Sequence, residues 1–217
     1  MDMENIRKSE RSRYDKSYYE NVYWAEDIPG KKCHTMFRYA DPNHEKRFRF
    51  LAAILLKNFE FRTTLDAGCG MGHVVRNLLD AGVAARGLEV SKDAIKNYMP
   101  DLEKKGLVVL SSIDKMPFRD NEFDMVFCSD VMEHIPSFDV KASIKELIRV
   151  TGKYLVLTIN MDNPYEYHPT ILPRKEWETM FLESGELKHL LSKQRNIERE
   201  CKKDHKEYDF FVFQKIK

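Results

Sequence analysis

The sequence lacks a surplus of either charge. Lys and Arg number 36 against 35 Asp and Glu, a formal net charge of +1. A chain that holds nucleic acid through charge alone carries a basic excess, so nucleic acid is not the expected partner. Cysteine is sparse: Cys33, Cys69, Cys128 and Cys201 lie far apart, with no CxxC pair. That spacing indicates neither a zinc site nor a disulfide framework, and no metal is expected. Cys69 and Cys128, in apolar strand and turn contexts, read as reduced thiols. Long apolar runs are missing too. None can span a bilayer, and residues 1–13 are polar where a signal peptide has an apolar core, so a cytoplasmic location away from membranes is expected. There is no internal repeat, low-complexity tract or linker. What remains is 217 residues, 42% hydrophobic and 33% charged. That suits one domain of generous size, or one domain with an added cap, and is too apolar for disorder throughout.

Residues 1–12 are charged and read as a frayed terminus. Tyr14, Tyr18, Tyr19, Tyr23 and Trp24 then crowd a short stretch that Pro29-Gly30 breaks. From Asn43 the period turns helical, with Phe48, Leu51, Ala52, Leu55 and Leu56 at three- and four-residue spacing. Residues 1–42 therefore read as a lid or cap segment and 43–217 as the main domain. In that domain strands and helices alternate. Strands are predicted at 63–67, 84–90, 106–110, 123–128, 154–159 and 210–213. Helices are predicted around Val74 to Leu79, from Lys92 behind the N-cap Ser91, at 142–150, and at 174–184 before Gly185. Such alternation implies crossover connections and a parallel sheet, an α/β Rossmann-like doubly wound fold with helices on both faces. Residues 187–209 are highly charged and give no clear local pattern.

One turn stands out. Asp66-Ala67-Gly68-Cys69-Gly70-Met71-Gly72 lies between a predicted strand and a predicted helix. Glycines there let the backbone turn sharply and a ligand approach the main chain, and the helix N-terminus offers free N–H groups to an anion. The run alone fits a tight structural loop equally well. Glu89 shifts the balance: it ends the next strand roughly 20 residues on, where a carboxylate accepts hydrogen bonds from ribose hydroxyls.

These residues resemble the first motif and the ribose acid of the class I S-adenosylmethionine-dependent methyltransferases, of the small-molecule type. Two more stretches resemble that family in order: Ser112-Ile113-Asp114-Lys115-Met116-Pro117-Phe118, and the run from Asn121 through Ser129-Asp130-Val131-Met132-Glu133-His134-Ile135. The likeness covers about residues 60 to 160. It implies a seven-stranded, mostly parallel sheet with an antiparallel last strand, and S-adenosylmethionine as cofactor with S-adenosylhomocysteine as product. It implies that Asp66 and the main chain of Gly68 and Gly70 hold the methionine end, with Cys69 and Gly72 in the same cofactor-binding turn. Glu89 would hold the ribose, Asp114 with the main chain of Ile113 the adenine, and Ser129 would approach the methionine part through its backbone.

Methyl transfer from a sulfonium is an in-line displacement from an already activated leaving group. Positioning therefore supplies most of the catalysis, and a general base adds about 10²- to 10⁴-fold. His134 and His168 are the candidate proton acceptors, with packed loop histidines as the plainer reading. Asp130, Glu133, Tyr165, Tyr167 and Tyr19 are the candidate substrate-binding residues. Trp177 is expected to pack structurally. Arg38, His44 and Arg47 suit an anionic acceptor or simple surface charge. The N-terminal aromatics read as a lid facing a sulfonium, or as a stripe packed on the sheet. Asn163-Pro164-Tyr165 is similar to the amino-clamp motif of nucleic-acid methyltransferases, but it follows the fifth strand instead of the fourth and has one proline. The expected function is methyl transfer to an oxygen or nitrogen of a small molecule: a sugar, a secondary metabolite or a biosynthetic intermediate. A protein or nucleic-acid methyltransferase, or a catalytically silent cofactor-binding subunit, is the alternative. A homodimer stays open as the assembly.

Overall fold

A computed structural model gathers the alternating elements into one twisted sheet. It describes residues 3–21, 23–24, 37–39, 42–162, 167–203 and 208–216. Cys33, Pro29-Gly30, Asn163, Pro164 and Tyr165 lie outside the described residues, as do the side chains of Tyr23, Trp24, Arg38 and His44. The chain opens with helices α1 (Met3–Ser12) and α2 (Lys16–Asn21) and a small antiparallel ladder, β1 (Tyr23–Trp24) with β2 (Phe37–Arg38). Helix α3 (Pro42–Asn58) leads into β3 (Thr63–Ala67), α4 (His73–Asp80), β4 (Ala84–Glu89), α5 (Lys92–Tyr98), α6 (Pro100–Lys104) and β5 (Val108–Leu110). Next come β6 (Phe123–Ser129), α7 (Ser137–Val150), β7 (Thr151–Thr158), α8 (Arg174–Leu182), β8 (Leu187–His189), α9 (Leu191–Lys203) and β9 (Phe210–Lys215).

The large sheet has seven strands in the order β5-β4-β3-β6-β7-β9-β8. Strands β3 to β7 pair in parallel, and β9 runs antiparallel to both β7 and β8. The antiparallel last strand is as the resemblance implied. The order reverses beside β3, so a crevice opens beyond the carboxyl ends of β3 and β6, where α/β sheets bind their ligands.

Both faces of the sheet are covered, which is why its strands read as continuous apolar runs. Side chains alternate between faces. Met125, Phe127, Val156, Phe210 and Val212 pack with Leu51, Leu55, Val75, Leu78 and Ile95 from α3, α4 and α5. Val126, Cys128, Leu155, Leu157, Phe211 and Phe213 pack with Ile144, Leu147, Trp177 and Phe181 from α7 and α8. Trp177 is fully buried there, as expected of a structural tryptophan. Cys69 and Cys128 are buried free thiols, and Cys201 is buried as well.

Two regions differ from the sequence reading. Residues 3–12 form a helix instead of a frayed end, because Arg7 and Arg11, one turn apart, both find carboxylates on the main domain: Asp139 at 2.6 Å and Asp114 at 2.9 Å. Residues 187–209 hold β8 and α9, whose buried stripe is Gln194, Ile197 and Cys201. Among the described residues no helix is long and apolar enough to cross a membrane.

Candidate active site

Backbone conformation builds the first wall. After β3 the chain turns through Gly68, Gly70 and Gly72 at φ 81°, 55° and 75°, values that favour glycine. At Gly68 the approach is also close, since a Cβ would stand 2.5 Å from Val131 Cγ2. At Gly72 a Cβ would meet Met99 Sδ at 2.8 Å and Leu102 Cδ1 at 2.9 Å, so this glycine lets α4 settle on α5 and α6. Ser91 caps α5 as expected, accepting from Ala94 N at 3.0 Å.

Beside this turn lies a cavity of about 840 Å³, counting the part open to solvent. Gly68, Gly70, Glu89, Ile113, Asp114, Asp130, Val131 and His134 line it from the sheet side. Arg7, Arg11, Tyr14, Tyr18, Tyr19 and Tyr39 line it from the N-terminal side. Five of the nine residues expected to bind the cofactor thus share one cavity. The other four stand behind it. Asp66 is buried at the end of β3. Cys69 turns inward, its Sγ 3.8 Å from Met99 Sδ. Gly72 packs on Met99 and Leu102. Ser129 joins its hydroxyl to Thr158 Oγ1 at 2.8 Å.

The acids of this wall have distinct surroundings. Glu89 Oε1 accepts from Val90 N at 2.9 Å, Ser91 N at 2.8 Å and Tyr19 Oη at 3.4 Å, and Oε2 accepts from Gly70 N at 2.8 Å. Oε2 keeps an acceptor site free, which fits a ribose hydroxyl. Burial pushes Glu89 upward, against the pull of the main-chain donors. Asp66 is pushed up to about 8 by burial and then by the charge of Glu89, so a cationic group beside it would be favoured. Asp114 Oδ1 accepts from Arg11 Nη2 at 2.9 Å and from the Ser112 hydroxyl.

The second wall comes from the turns after β6 and β7. Asp130 sits at φ 52° and takes hydrogen bonds from Thr158 Oγ1 at 2.8 Å and from Arg47. Burial would raise it, but Arg47 and the Thr158 hydroxyl outweigh that and hold it below the usual carboxylate range. Because Thr158 donates to Asp130, it accepts from Ser129. Arg47 is therefore an ion-pair partner of Asp130 rather than a surface charge.

Glu133 and His134 follow in a 3₁₀ turn. Glu133 is completely buried, its Oε1 accepting from Asn160 N at 3.1 Å, and burial with the nearby Asp130 pushes its carboxyl well up. His134 faces the cavity. Burial and the neighbouring His168 push it down to about 3, and Tyr14 Oη lies 3.3 Å from its Nδ1. His168 is buried behind it, the two rings edge to face at 4.5 Å. Tyr19 lines the cavity, whereas Tyr167 packs behind it on Tyr14 and Tyr18. Of the N-terminal tyrosines, Tyr18 and Tyr19 are buried and also line the cavity.

Arg7 and Arg11 were not singled out in the sequence. Their partners are 132 and 103 residues away, and two basic residues four apart are common on any solvated helix. The turn between α1 and α2 is pinned as well. The Ser91 hydroxyl donates to the Tyr14 carbonyl, and Lys16 N donates to Asp93 Oδ2 at 3.2 Å.

Residues 65–155 match the family described as Methyltransferase domain. An uncharacterised protein of Methanocaldococcus jannaschii is 30% identical over 114 residues, covering 51% of this chain and 48% of the relative. A ubiquinone biosynthesis O-methyltransferase of Methylococcus capsulatus is 30% identical over 104 residues, 46% of this chain and 44% of the relative. The chain thus spans about half the length of these curated relatives. Among solved structures, the magnesium protoporphyrin IX methyltransferase of Synechocystis, crystallised with its methyl donor, superposes with a TM-score of 0.58. It is 16% identical, over 80% of each chain, a likeness of fold. The fold is Rossmann-like, a seven-stranded and mostly parallel sheet with an antiparallel last strand. Within that fold, residues 65–155 match the methyltransferase-domain family, in line with the resemblance that the motifs carry.

Proposed function

We propose that the chain transfers the methyl group of S-adenosylmethionine to a small molecule at an oxygen or nitrogen atom. One observation carries this reading: the glycine turn, Glu89, Asp114 and His134 face a single cavity that α1 and four tyrosines cover. Such a covered space suits a small acceptor better than a protein or nucleic-acid strand. The absence of a basic excess supports the same choice.

When bound, the cofactor supplies an electrophilic methyl on a sulfonium. The protein's part is to hold and orient. Glu89 accepts the ribose hydroxyls at Oε2. Asp66 faces the ammonium of the methionine end, with the main chain of Gly68 and Gly70 beside it. Asp114 and the Ile113 main chain meet the adenine, where Arg11 already satisfies one lobe of the carboxylate. The faces of Tyr18, Tyr19 and Tyr39 favour a cation and exclude water. Asp130, held by Arg47 and Thr158, fixes the turn that brings His134 to the acceptor. The aligned attack this enforces is worth several kcal/mol. His134 is the group next to the acceptor's proton, with Glu133 and His168 packed behind it.

The test is a transfer assay with a donor labelled in its methyl group. The purified chain is offered a panel of small hydroxyl and amino compounds, and separately protein and nucleic acid. Label in an extractable small product is expected. Label only in macromolecules would contradict the reading.

A further inference from the structure

The turn after β6 and the segment after β7 bring three unlike side chains together. Glu133, His134 and His168 each offer a ligand atom, and these atoms all lie within 4.8 Å of one another. The cluster is held in place by its backbone. Thr170 N donates to the Glu133 carbonyl at 3.2 Å, and Thr170 Oγ1 donates to the Ile135 carbonyl at 2.7 Å. The residue next but one to His168 is thus stapled to the turn that carries Glu133 and His134.

A second observation points into the cluster. Glu133 is completely buried, and while its Oε1 accepts from Asn160 N, its Oε2 is buried with no hydrogen-bond donor among the described residues. A buried carboxylate oxygen left without a partner is costly. The nearest other acid does not relieve it: both oxygens of Asp130 are already taken by Arg47 and Thr158.

We infer that Glu133, His134 and His168 form a site for a divalent cation on the wall of the methyl-transfer cavity. Two imidazoles and one carboxylate suit zinc, cobalt, manganese or ferrous iron, and they leave coordination positions open. His134 lines the cavity, so the site adjoins the space proposed for the acceptor. The sequence had pointed to no metal, because its cysteines are dispersed. The ligands are instead two histidines 34 positions apart in the chain and a glutamate beside one of them.

The consequence deepens the proposed function and rests on it. A cation binds a hydroxyl oxygen and makes its proton more acidic. It would bind an amine through the lone pair needed for attack and so block it. The site therefore selects an oxygen acceptor. The acceptor's O–H proton leaves to water as its oxygen binds. That oxygen forms a bond to the methyl carbon, the carbon–sulfur bond breaks, and its electron pair returns to sulfur, giving the neutral thioether.

Cobalt(II) titration of the full chain in metal-free buffer, followed by visible absorption, tests the site without any acceptor. One equivalent per chain with ligand-field bands is expected, displaced by zinc. Glu133→Gln and His168→Gln, checked for folding by circular dichroism, are expected to weaken binding by more than about 100-fold, beyond the loss of an outer partner. S-adenosylmethionine affinity, measured by calorimetry on the same samples, is expected to stay within twofold. Wild-type chain that takes up no cobalt, or folded variants that bind it as the wild type does, would overturn the site. Cobalt uptake with no cofactor binding would overturn the methyl-transfer reading and leave the site standing.

Discussion

The two walls of the cavity are built in different ways. The wall proposed for the cofactor is local: the turn 68–72 follows β3, Glu89 ends the adjacent β4, and the Gly70 N–H donates to the Glu89 side chain at Oε2, 2.8 Å away. The wall proposed for the acceptor is assembled from far apart. Arg47 on α3 reaches Asp130 after β6, Thr158 ends β7, and His168 arrives from the segment beyond it. A wall made of backbone shape tolerates few substitutions and recognises a constant group. A wall made of long-range side-chain pairs is free to change its chemistry while the fold stays.

Substitutions can break this contrast. The largest effect is expected at His134. His134→Ala, which removes a ligand of the inferred cation site, should slow methyl transfer by about 10²-fold or more through loss of the assistance the cation gives to deprotonating the acceptor, with cofactor affinity nearly unchanged. Kinetics and calorimetry on one preparation would show whether the two walls separate. Gly68→Ala should do the opposite and strike binding first. Its φ of 81° and the 2.5 Å approach to Val131 together cost about 3 kcal/mol, read as a lost calorimetric signal for the cofactor and a lowered melting temperature.

Glu89→Ala should weaken cofactor binding by about 1–3 kcal/mol, the scale of hydrogen bonds to a charged group. Unchanged affinity in a folded variant would remove the ribose assignment. The pH response should be gentler. Asp66, pushed up to about 8, holds its proton below that pH in the free chain, and an ammonium beside it favours the carboxylate. Cofactor binding then releases a proton, so affinity rises with pH by up to about tenfold per unit below 8 and levels off above it. Binding enthalpies in buffers of different ionisation heat would count that proton. The smallest effect is expected at Arg11→Ala. The pair with Asp114 is partly exposed, at 35% and 15% of the two side chains, so stability should fall by less than about 1 kcal/mol. Stopped-flow release of the cofactor should still quicken if α1 is a cover.

What the sequence revealed follows the same division. The glycine turn is readable because backbone values near φ 75–81° at Gly68 and Gly72 restrict the residue type itself. The strands are readable because both faces of the sheet are covered, so Phe127 and Cys128 alike must be apolar. The acceptor wall was only half visible. His134, His168, Asp130 and Glu133 were picked by type and position, but nothing near Arg47 announces a partner 83 residues away. Helix α1 was hidden for the same reason, being charged throughout and stabilised by Asp114 and Asp139. In α9 the buried stripe holds only two apolar residues, Ile197 and Cys201, beside the buried Gln194, and Leu191 is exposed, a signal too faint for a helical period to show.

Calorimetric titration of the chain with S-adenosylmethionine, S-adenosylhomocysteine and NAD tests the central claim most directly. Micromolar binding of the first two and none of NAD is the predicted result. Failure of both to bind a folded chain would contradict it, and the glycine turn would then be a loop that serves only the fold.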